Sequence, residues 1–395
     1  MEAWVKSMDK SSLIVFTGDI GFDKYMSGRF ADEELVDGEL LGFLRSADHV
    51  VANVEGPLSS GERRGAEGAA AGLLHTMDPG AVAFLKRVNA DIWNICNNHI
   101  MDAGPEGMED TLTEAKKAGA QTLGAGMNIK EAMTPVIINE AGGIGLMGVG
   151  YRRGCKPADT DNPGCFLWNE MEKIEAVIKE VKKTCRWCVV VAHGGEEFTS
   201  LPSPYTRDRY MAYLDMGPDV VVSHHPHVPM NYETFESGKT IFYSLGNFVF
   251  DTDYQRAQYD TEKGVLLGIK FSEDSFSFEA KGLLIDRNNE KIVSAALPDI
   301  FTDVQGKDYE LLAPLSAKAF IAATKRQQLF LNKDKFSSFT EADWAAHFAE
   351  EKRSGRVPGE ALDFQIIVPF AKGAESGEWK KSKLEKVKAY ILAQM

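Results

Sequence analysis

Short apolar runs rich in β-branched residues recur along the first 250 residues of this chain, separated by longer amphipathic segments. Eight runs predict strands: 13–17, 49–53, 92–96, 136–139, 144–149, 188–192, 220–223 and 241–244. The segments 105–118 and 169–183 predict helices that cover a sheet face. After Asp251, the alternating segments 264–271 and 276–285 predict an antiparallel meander. Strands that alternate with helices predict an α/β protein.

Most of the predicted strands before Asp251 end at a residue that can bind a metal ion. These residues are Asp19, Glu55, Asn98, His193, His225 and His227. Ligands gather outside the carboxyl ends of strands in open α/β sheets, because the loops vary there while the sheet holds them. The pattern predicts a metal centre at one sheet edge. For Asp19 or Glu55 alone, a strand-end carboxylate that pairs with a lysine is an equally good interpretation.

The segment His225-Pro226-His227 is predicted to be extended. Proline fixes its own φ and favours the extended region for the residue before it. The imidazoles of His225 and His227 would then project to one side and reach one metal cluster. His224 would face the opposite way, and we expect it to be structural.

Asn98 and His99 are adjacent, so their side chains diverge. We expect the Asn98 carbonyl oxygen on a metal and His99 over the substrate, as a general acid or an electrostatic clamp. Asp102, three residues later, is a candidate to orient His99. Asp23 is expected to be a surface-loop residue rather than a ligand.

Composition narrows the class of protein. The formal net charge of −14 excludes a generic basic surface for nucleic acid, and an acidic substrate would need a local positive centre such as a metal ion. No segment approaches the roughly 20 apolar residues needed to span a bilayer. The five cysteines are an odd number, which favours a reducing compartment, and we expect the cytoplasm. We expect one large domain over 11–300 and a helix-rich extension over 301–395 that packs on it.

The ordered motifs resemble those of a known family. They are GD (18–19), NVEGP (53–57), NNHIMDAG (97–104), HGGEEF (193–198), HHPHV (224–228) and YSLGNFVFD (243–251). In this order they resemble the CapA family of capsule and poly-γ-glutamate synthesis proteins, a branch of the calcineurin-like metallophosphoesterases. The resemblance implies a four-layer α/β/β/α sandwich, here with a helical C-terminal extension. It also implies one or two divalent metal ions, such as Mn, Fe or Zn.

The resemblance further implies a role for each matched residue. Two ligand sets are implied: Asp19, Glu55 and His227 for one ion, and Asn98, His193 and His225 for the other, with Glu55 shared. His99 would face the substrate and be paired with Asp102. Substrate contacts are implied for Asn53, Glu197 and Asn247. Two features depart from the family pattern: Gly21 stands where the usual Asp-x-His motif has its histidine, and Arg29 lies beyond an insertion.

These features support one leading hypothesis and two alternatives. The first is metal-assisted hydrolysis of a phosphoester, or of an amide or similar bond, in an anionic small molecule, polymer or precursor. The second is a non-catalytic component of a polymer synthesis or export complex. The third is an amidase or peptidase that acts on γ-glutamyl or cell-wall peptides. Under all three hypotheses, we expect no nucleic acid partner and no membrane span.

Overall fold

The structure is a computed structural model that describes residues 11–60, 74–151, 155–353 and 381–395. The strands are β1 (Ser12–Ile20), β2 (His49–Val54), β3 (Ala90–Asn94), β4 (Gln121–Leu123), β5 (Ala125–Gly126), β6 (Val136–Ile138), β7 (Ile144–Gly150), β8 (Gly164–Cys165), β9 (Trp187–His193), β10 (Val220–His224), β11 (Tyr232–Thr234), β12 (Thr240–Phe242), β13 (Asn247–Val249), β14 (Lys263–Phe271), β15 (Phe276–Asp286) and β16 (Lys291–Ala295). The helices are α1 (Gly38–Ser46), α2 (Val82–Arg87), α3 (Gly104–Ala118), α4 (Ile129–Ala132), α5 (Met171–Thr184), α6 (Pro204–Met216), α7 (Asp253–Arg256), α8 (Gly306–Leu331), α9 (Lys333–Phe336), α10 (Glu341–Arg353) and α11 (Lys381–Leu392).

Two β-sheets form the centre of the molecule. The first has the strand order β16-β15-β14-β1-β2-β3-β4, and β13 also pairs with β1. Its strands β1 to β4 run parallel, whereas β14, β15 and β16 form the predicted antiparallel meander. The second sheet has the order β11-β12-β10-β9-β7-β6, with a parallel centre of β12, β10, β9 and β7.

Three hydrophobic clusters join four layers: one lies between the two sheets, and one lies under the helices on each outer face. The core between the sheets includes Phe16, Ile92, Leu146, Val189 and Val222. On the outer face of the first sheet, α1, α2 and α3 pack through Leu40, Phe84 and Met108. On the outer face of the second sheet, α5 and α6 pack through Ile178 and Tyr210. The predicted α/β four-layer sandwich is therefore confirmed.

Local sequence signals set the ends of helices α3 and α6. Helix α3 has Pro105 in its first turn and ends at Gly119, whose φ of 78° is the left-handed value that favours glycine. The Ser203 side chain caps α6 by accepting a hydrogen bond from the Thr206 backbone N–H, and Pro204 follows in the first turn.

The predicted helical C-terminal extension is present. Helix α8 packs through Leu312 and Ala317 against Leu201, and α11 joins the same cluster through Val387 and Ile391. In the part of the chain that the structure describes, no helix is both long and apolar enough to cross a membrane.

Candidate metal centre

The six predicted ligands meet where the carboxyl ends of the two parallel sheet centres face each other. In the first sheet, Asp19 lies near the end of β1, Glu55 directly follows β2, and Asn98 follows β3. In the second sheet, His193 ends β9, and His225 and His227 follow β10. All of them are buried except Asn98, which is partly exposed.

The side chains of these residues form one compact cluster around Glu55. Ligand atoms of Asp19, Glu55 and His193 lie within 4.8 Å of one another, and so do those of Glu55, His225 and His227. The Asn98 Oδ1 atom lies 2.9 Å from His193 Nε2. Glu55 belongs to both groups, which is the arrangement that a shared ligand requires. The division of ligands between two ions stays a prediction, because the compact groups join His193 with Asp19 and His225 with His227. His227 Nδ1 also lies 3.2 Å from Asp19 Oδ2, and His227 Nε2 lies 3.6 Å from Glu55 Oε1.

Buried polar atoms without partners fit a divalent ion at this cluster. Both carboxylate oxygens of Glu55 are buried and have no hydrogen-bond partner among the described residues. The same is true of His225 Nδ1. Unsatisfied buried polar atoms are costly, and a carboxylate without any donor is rare. Carboxylate, amide and imidazole ligands together suit Mn, Fe or Zn.

The electrostatics of the cluster match the same ion. Burial, and then its neighbour His225, lower the pKa of His193 well below its ordinary value, and burial likewise lowers the pKa of His225. Both imidazoles are therefore neutral and can act as ligands. Burial raises the pKa of Glu55 well above its ordinary value. Burial alone would lower the pKa of His227, but Glu55 and Asp19 raise it to about 10, so this position attracts positive charge.

The backbone that presents the two loop histidines differs from the prediction. His225 has a φ of 98° and His227 a φ of 59°, so the His225-Pro226-His227 segment is not extended and that prediction was wrong. The imidazoles still approach each other, with ring centroids 5.9 Å apart. His224 turns away, as expected, and its Nε2 lies 2.9 Å from the carbonyl oxygen of Thr17.

Two residues expected to touch substrate also contact predicted metal ligands. Asn53 is fully buried, and its side-chain amide donates to Asp19 Oδ1 at 2.8 Å. Asn247 is also fully buried, and its Oδ1 lies 3.0 Å from His227 Nδ1. Hydrogen bonds of this kind orient metal ligands. The contact of both residues with substrate stays a prediction.

The approach of Asn247 depends on a glycine. Residue Asp19 of β1 pairs with Asn247 of β13, and a Cβ on Gly18 would lie 2.2 Å from the carbonyl oxygen of Gly246. A residue with a side chain at position 18 would therefore push β13 away from the site.

Glu197, the third residue expected to touch substrate, lies at the edge of the cluster. Its side chain is 26% exposed, and its Oε1 lies 3.8 Å from His225 Nε2. It can therefore face both a ligand histidine and a bound molecule.

The predicted pair of His99 and Asp102 has the geometry that its role requires. His99 Nδ1 lies 2.7 Å from Asp102 Oδ2, and the His99 ring is partly exposed. When Nδ1–H donates to the carboxylate, Nε2 is left to face a bound molecule. The catalytic roles of both residues stay predictions.

A second histidine–aspartate pair, His75 and Asp23, lies beside His99 and was not predicted from the sequence. The rings of His75 and His99 pack edge to face, with centroids 4.3 Å apart. The His75 backbone N–H donates to Asp102 Oδ2 at 2.8 Å. His75 Nδ1 lies 3.1 Å from Asp23 Oδ2, and Asp23 is buried, so its assignment to the surface was wrong. Burial, and then His99, lower the pKa of His75 to about 4. His75 follows no predicted strand, so strand-end reasoning could not find it.

The two residues that depart from the family pattern have other surroundings than the ligand cluster. A Cβ on Gly21 would lie 2.6 Å from the ring of Phe250, so the phenyl ring occupies the space that a side chain at position 21 would enter. Arg29 forms ion pairs with Glu290 at 2.8 Å and with Asp32 at 3.0 Å. Neither residue contributes a ligand to the cluster around Glu55.

Comparisons with known proteins show the family of the chain. Residues 13–252 match the family model described as bacterial capsule synthesis protein PGA_cap. The chain is 31% identical over 248 residues to the PGA biosynthesis protein CapA of Bacillus subtilis (strain 168), which covers 62% of this chain and 64% of that protein. It is 29% identical over 222 residues to the capsule biosynthesis protein CapA of Bacillus anthracis, with 55% and 54% covered. The chain thus matches less than two thirds of the length of either relative.

Among solved structures, the chain is similar to the purple acid phosphatase PPD1 from yellow lupin (Lupinus luteus) seeds. The TM-score is 0.35 at 10% sequence identity, and the similarity covers 75% of this chain and 55% of that chain.

Proposed function

Because the chain belongs to the PGA_cap family of bacterial capsule synthesis proteins, we propose that it is a metal-dependent hydrolase of the phosphoesterase type that works in capsule or poly-γ-glutamate synthesis. One observation carries the proposal. Glu55 lies buried among three histidines and Asp19, and neither of its carboxylate oxygens has a hydrogen-bond partner among the described residues. A divalent ion would satisfy these oxygens.

The residues of the chain have separate roles in this proposal. Asp19, Glu55, Asn98, His193, His225 and His227 hold one or two divalent ions. Such an ion is a Lewis acid that neutralises negative charge on the substrate and lowers the pKa of water. As a general acid, His99 would start protonated on both ring nitrogens, give its Nε2 proton to the leaving group and become neutral, while its Nδ1–H donates to Asp102. Asn53 and Asn247 orient the ligands Asp19 and His227.

We propose an anionic small molecule or polymer as the substrate. The chain has a formal net charge of −14, so bound cations would supply the local positive charge that such a substrate needs. The names of the relatives refer to capsule and PGA biosynthesis. A capsule or polymer synthesis complex is the proposed partner.

Turnover assays test this proposal. The wild type is compared with His225→Ala on p-nitrophenyl phosphate, bis-p-nitrophenyl phosphate and γ-glutamyl peptides, with Mn²⁺ present. His49→Ala is the matched control, because His49 pairs with Asp91 at the start of β2, away from the cluster. We expect phosphoester hydrolysis by the wild type and the control and its loss in His225→Ala. Equal background rates from all three proteins would overturn the proposal.

Glu197 favours an amidase or peptidase as a second candidate. Its carboxylate lies 3.8 Å from His225 Nε2 and would repel a phosphate dianion, whereas a neutral amide meets no such repulsion. Turnover of γ-glutamyl peptides without turnover of phosphoesters would support this candidate over the first.

The Phe250 ring favours a third candidate, a non-catalytic component of a polymer synthesis or export complex. It fills the space beside Gly21 and so prevents a further ligand there. Under this candidate the chain binds the polymer or its precursor without turnover, and His225→Ala leaves that binding unchanged.

We also propose that the chain works in the cytoplasm. All five cysteines are free and buried, which agrees with a reducing compartment. Cell fractionation followed by immunodetection tests this location, and recovery of the chain outside the cytoplasm would contradict it.

A further inference from the structure

Helix α8 reaches the candidate metal centre although it lies outside residues 13–252, which the family model matches. Its residue Gln327 donates from Nε2 to Glu197 Oε2 at 2.6 Å. The other oxygen of Glu197 faces His225 Nε2 at 3.8 Å. A side chain of the C-terminal extension therefore holds the carboxylate that faces a predicted ligand.

A second donor fixes the same carboxylate. The Tyr254 hydroxyl donates to Glu197 Oε2 at 3.3 Å. Burial, and then Glu197, raise the pKa of Tyr254, so the phenol keeps its proton and stays a donor. The ring of Phe330, also on α8, packs against the Tyr254 ring with centroids 5.6 Å apart. Helix α8 thus supports Glu197 directly and through Tyr254.

Helix α8 also packs on loops with an unfavourable backbone conformation. Phe198, like His225 and His227, has a positive φ, in its case 61°. The Phe198 backbone N–H donates to the carbonyl oxygen of Pro226 at 2.9 Å, and the Phe198 ring stacks on the His227 ring with centroids 6.0 Å apart. Phe198 and Val228 form a buried cluster with Ala323 of α8. Non-glycine residues keep such conformations only where the surrounding structure holds them firmly.

His225 is the predicted ligand that lies next to Glu197. His225 Nδ1 is buried without a partner among the described residues, while Nε2 faces Glu197. Ligand histidines in metal sites commonly direct their second nitrogen at a carboxylate, which fixes the tautomer and the ring orientation. Glu197 is the carboxylate that faces His225 Nε2, at an ion-pair distance of 3.8 Å.

We propose that Gln327 is a positioning residue of the metal centre: it holds Glu197 so that His225 presents Nδ1 to the ion. This inference rests on the proposed metal site and assigns the C-terminal extension a part in it. Gln327 acts through Glu197, so removing Gln327 weakens metal binding only while Glu197 is present.

Isothermal titration of the full chain with Mn²⁺ tests the inference, using Gln327→Ala, Glu197→Ala and the double variant. Gln328→Ala is the matched control, because this neighbouring glutamine lies on the same helix and is partly buried like Gln327. We expect Gln327→Ala to raise the Mn²⁺ dissociation constant roughly ten-fold and Gln328→Ala to leave it unchanged. In the Glu197→Ala background, Gln327→Ala should add less than about two-fold, because the pair acts as one unit.

The outcomes separate this inference from the proposed function. If the wild type binds no Mn²⁺, the proposed metal centre fails. If the wild type binds Mn²⁺ and Gln327→Ala binds it equally well, the inference alone fails. An equal loss from Gln327→Ala in both backgrounds would show a general packing role for α8 and would also overturn the inference. Thermal melts in EDTA check that each variant is folded.

Discussion

Replacing Glu55 by glutamine should remove the stabilisation that a metal ion gives to the folded chain. Glu55 is fully buried and belongs to both groups of candidate ligands. Glutamine has nearly the same volume but lacks the negative charge that a divalent ion requires. The change therefore tests the charge at the centre with little change in packing.

The size of the effect follows from linkage between binding and folding. At a free Mn²⁺ concentration about 100 times the dissociation constant, binding to the folded state alone adds about 2.7 kcal/mol. A chain of 395 residues has an unfolding entropy of about 0.8 kcal/mol/K near the midpoint. The wild type should therefore melt about 3 °C higher in Mn²⁺ than in EDTA. The Glu55→Gln variant should show a shift close to zero.

Differential scanning calorimetry measures both shifts. Glu196→Gln is the matched control, because it makes the same change in a carboxylate that is not a candidate ligand. The Glu196 carboxylate instead accepts hydrogen bonds from the Ser203 and Thr206 hydroxyls. This control should keep the full Mn²⁺ shift even where its own melting temperature falls. A Glu55→Gln variant with the wild-type shift would refute the assignment of Glu55 as a ligand.

Three further predictions concern the catalytic pair, the approach of β13 and the support of α6. If the chain is a hydrolase, His99→Gln should lower kcat by about 10²- to 10⁴-fold and leave the Mn²⁺ dissociation constant unchanged, which steady-state kinetics and titration would check. Gly18→Ala should cost about 1–3 kcal/mol in urea denaturation, because the added Cβ meets the Gly246 carbonyl oxygen. Glu233→Gln should cost about 3–5 kcal/mol, because it leaves the partly buried Arg207 without its charge partner at 2.6 Å; an unchanged denaturation midpoint would contradict this.

The elements of the fold were largely predictable from the sequence, because their signals are local. Each of the eight predicted strands before Asp251 exists, and their ends differ by at most a few residues; β3, for example, stops at Asn94 rather than at Cys96. The position of the candidate ligands followed from the same signals. A parallel sheet brings the ends of its strands together without any further information.

The parts of the site that were missed depend on tertiary contacts. Proline restricts φ at position 226, but His225 and His227 both have a positive φ. The His227 ring packs against Phe198 and Phe250, which are distant in the local sequence pattern. His75 reaches His99 from a loop that has no periodic pattern.

The orientation of side chains at the site was equally hidden from periodicity. The family resemblance placed Asn53 at the site, but its hydrogen bond to Asp19 depends on the pairing of β1 with β2. The contact of Gln327 with Glu197 joins segments 130 residues apart. Such contacts follow from the assembled fold and not from local spacing.

Metal analysis of the purified chain tests the central claim most directly. The wild type, reconstituted with Mn²⁺, Fe²⁺ or Zn²⁺ and freed of excess metal, is measured by inductively coupled plasma mass spectrometry beside a His225→Ala, His227→Ala double variant. We predict at least one equivalent of a divalent metal per wild-type chain and a loss of bound metal in the variant. Wild-type protein without stoichiometric metal under metal-replete conditions would contradict the metal centre described here.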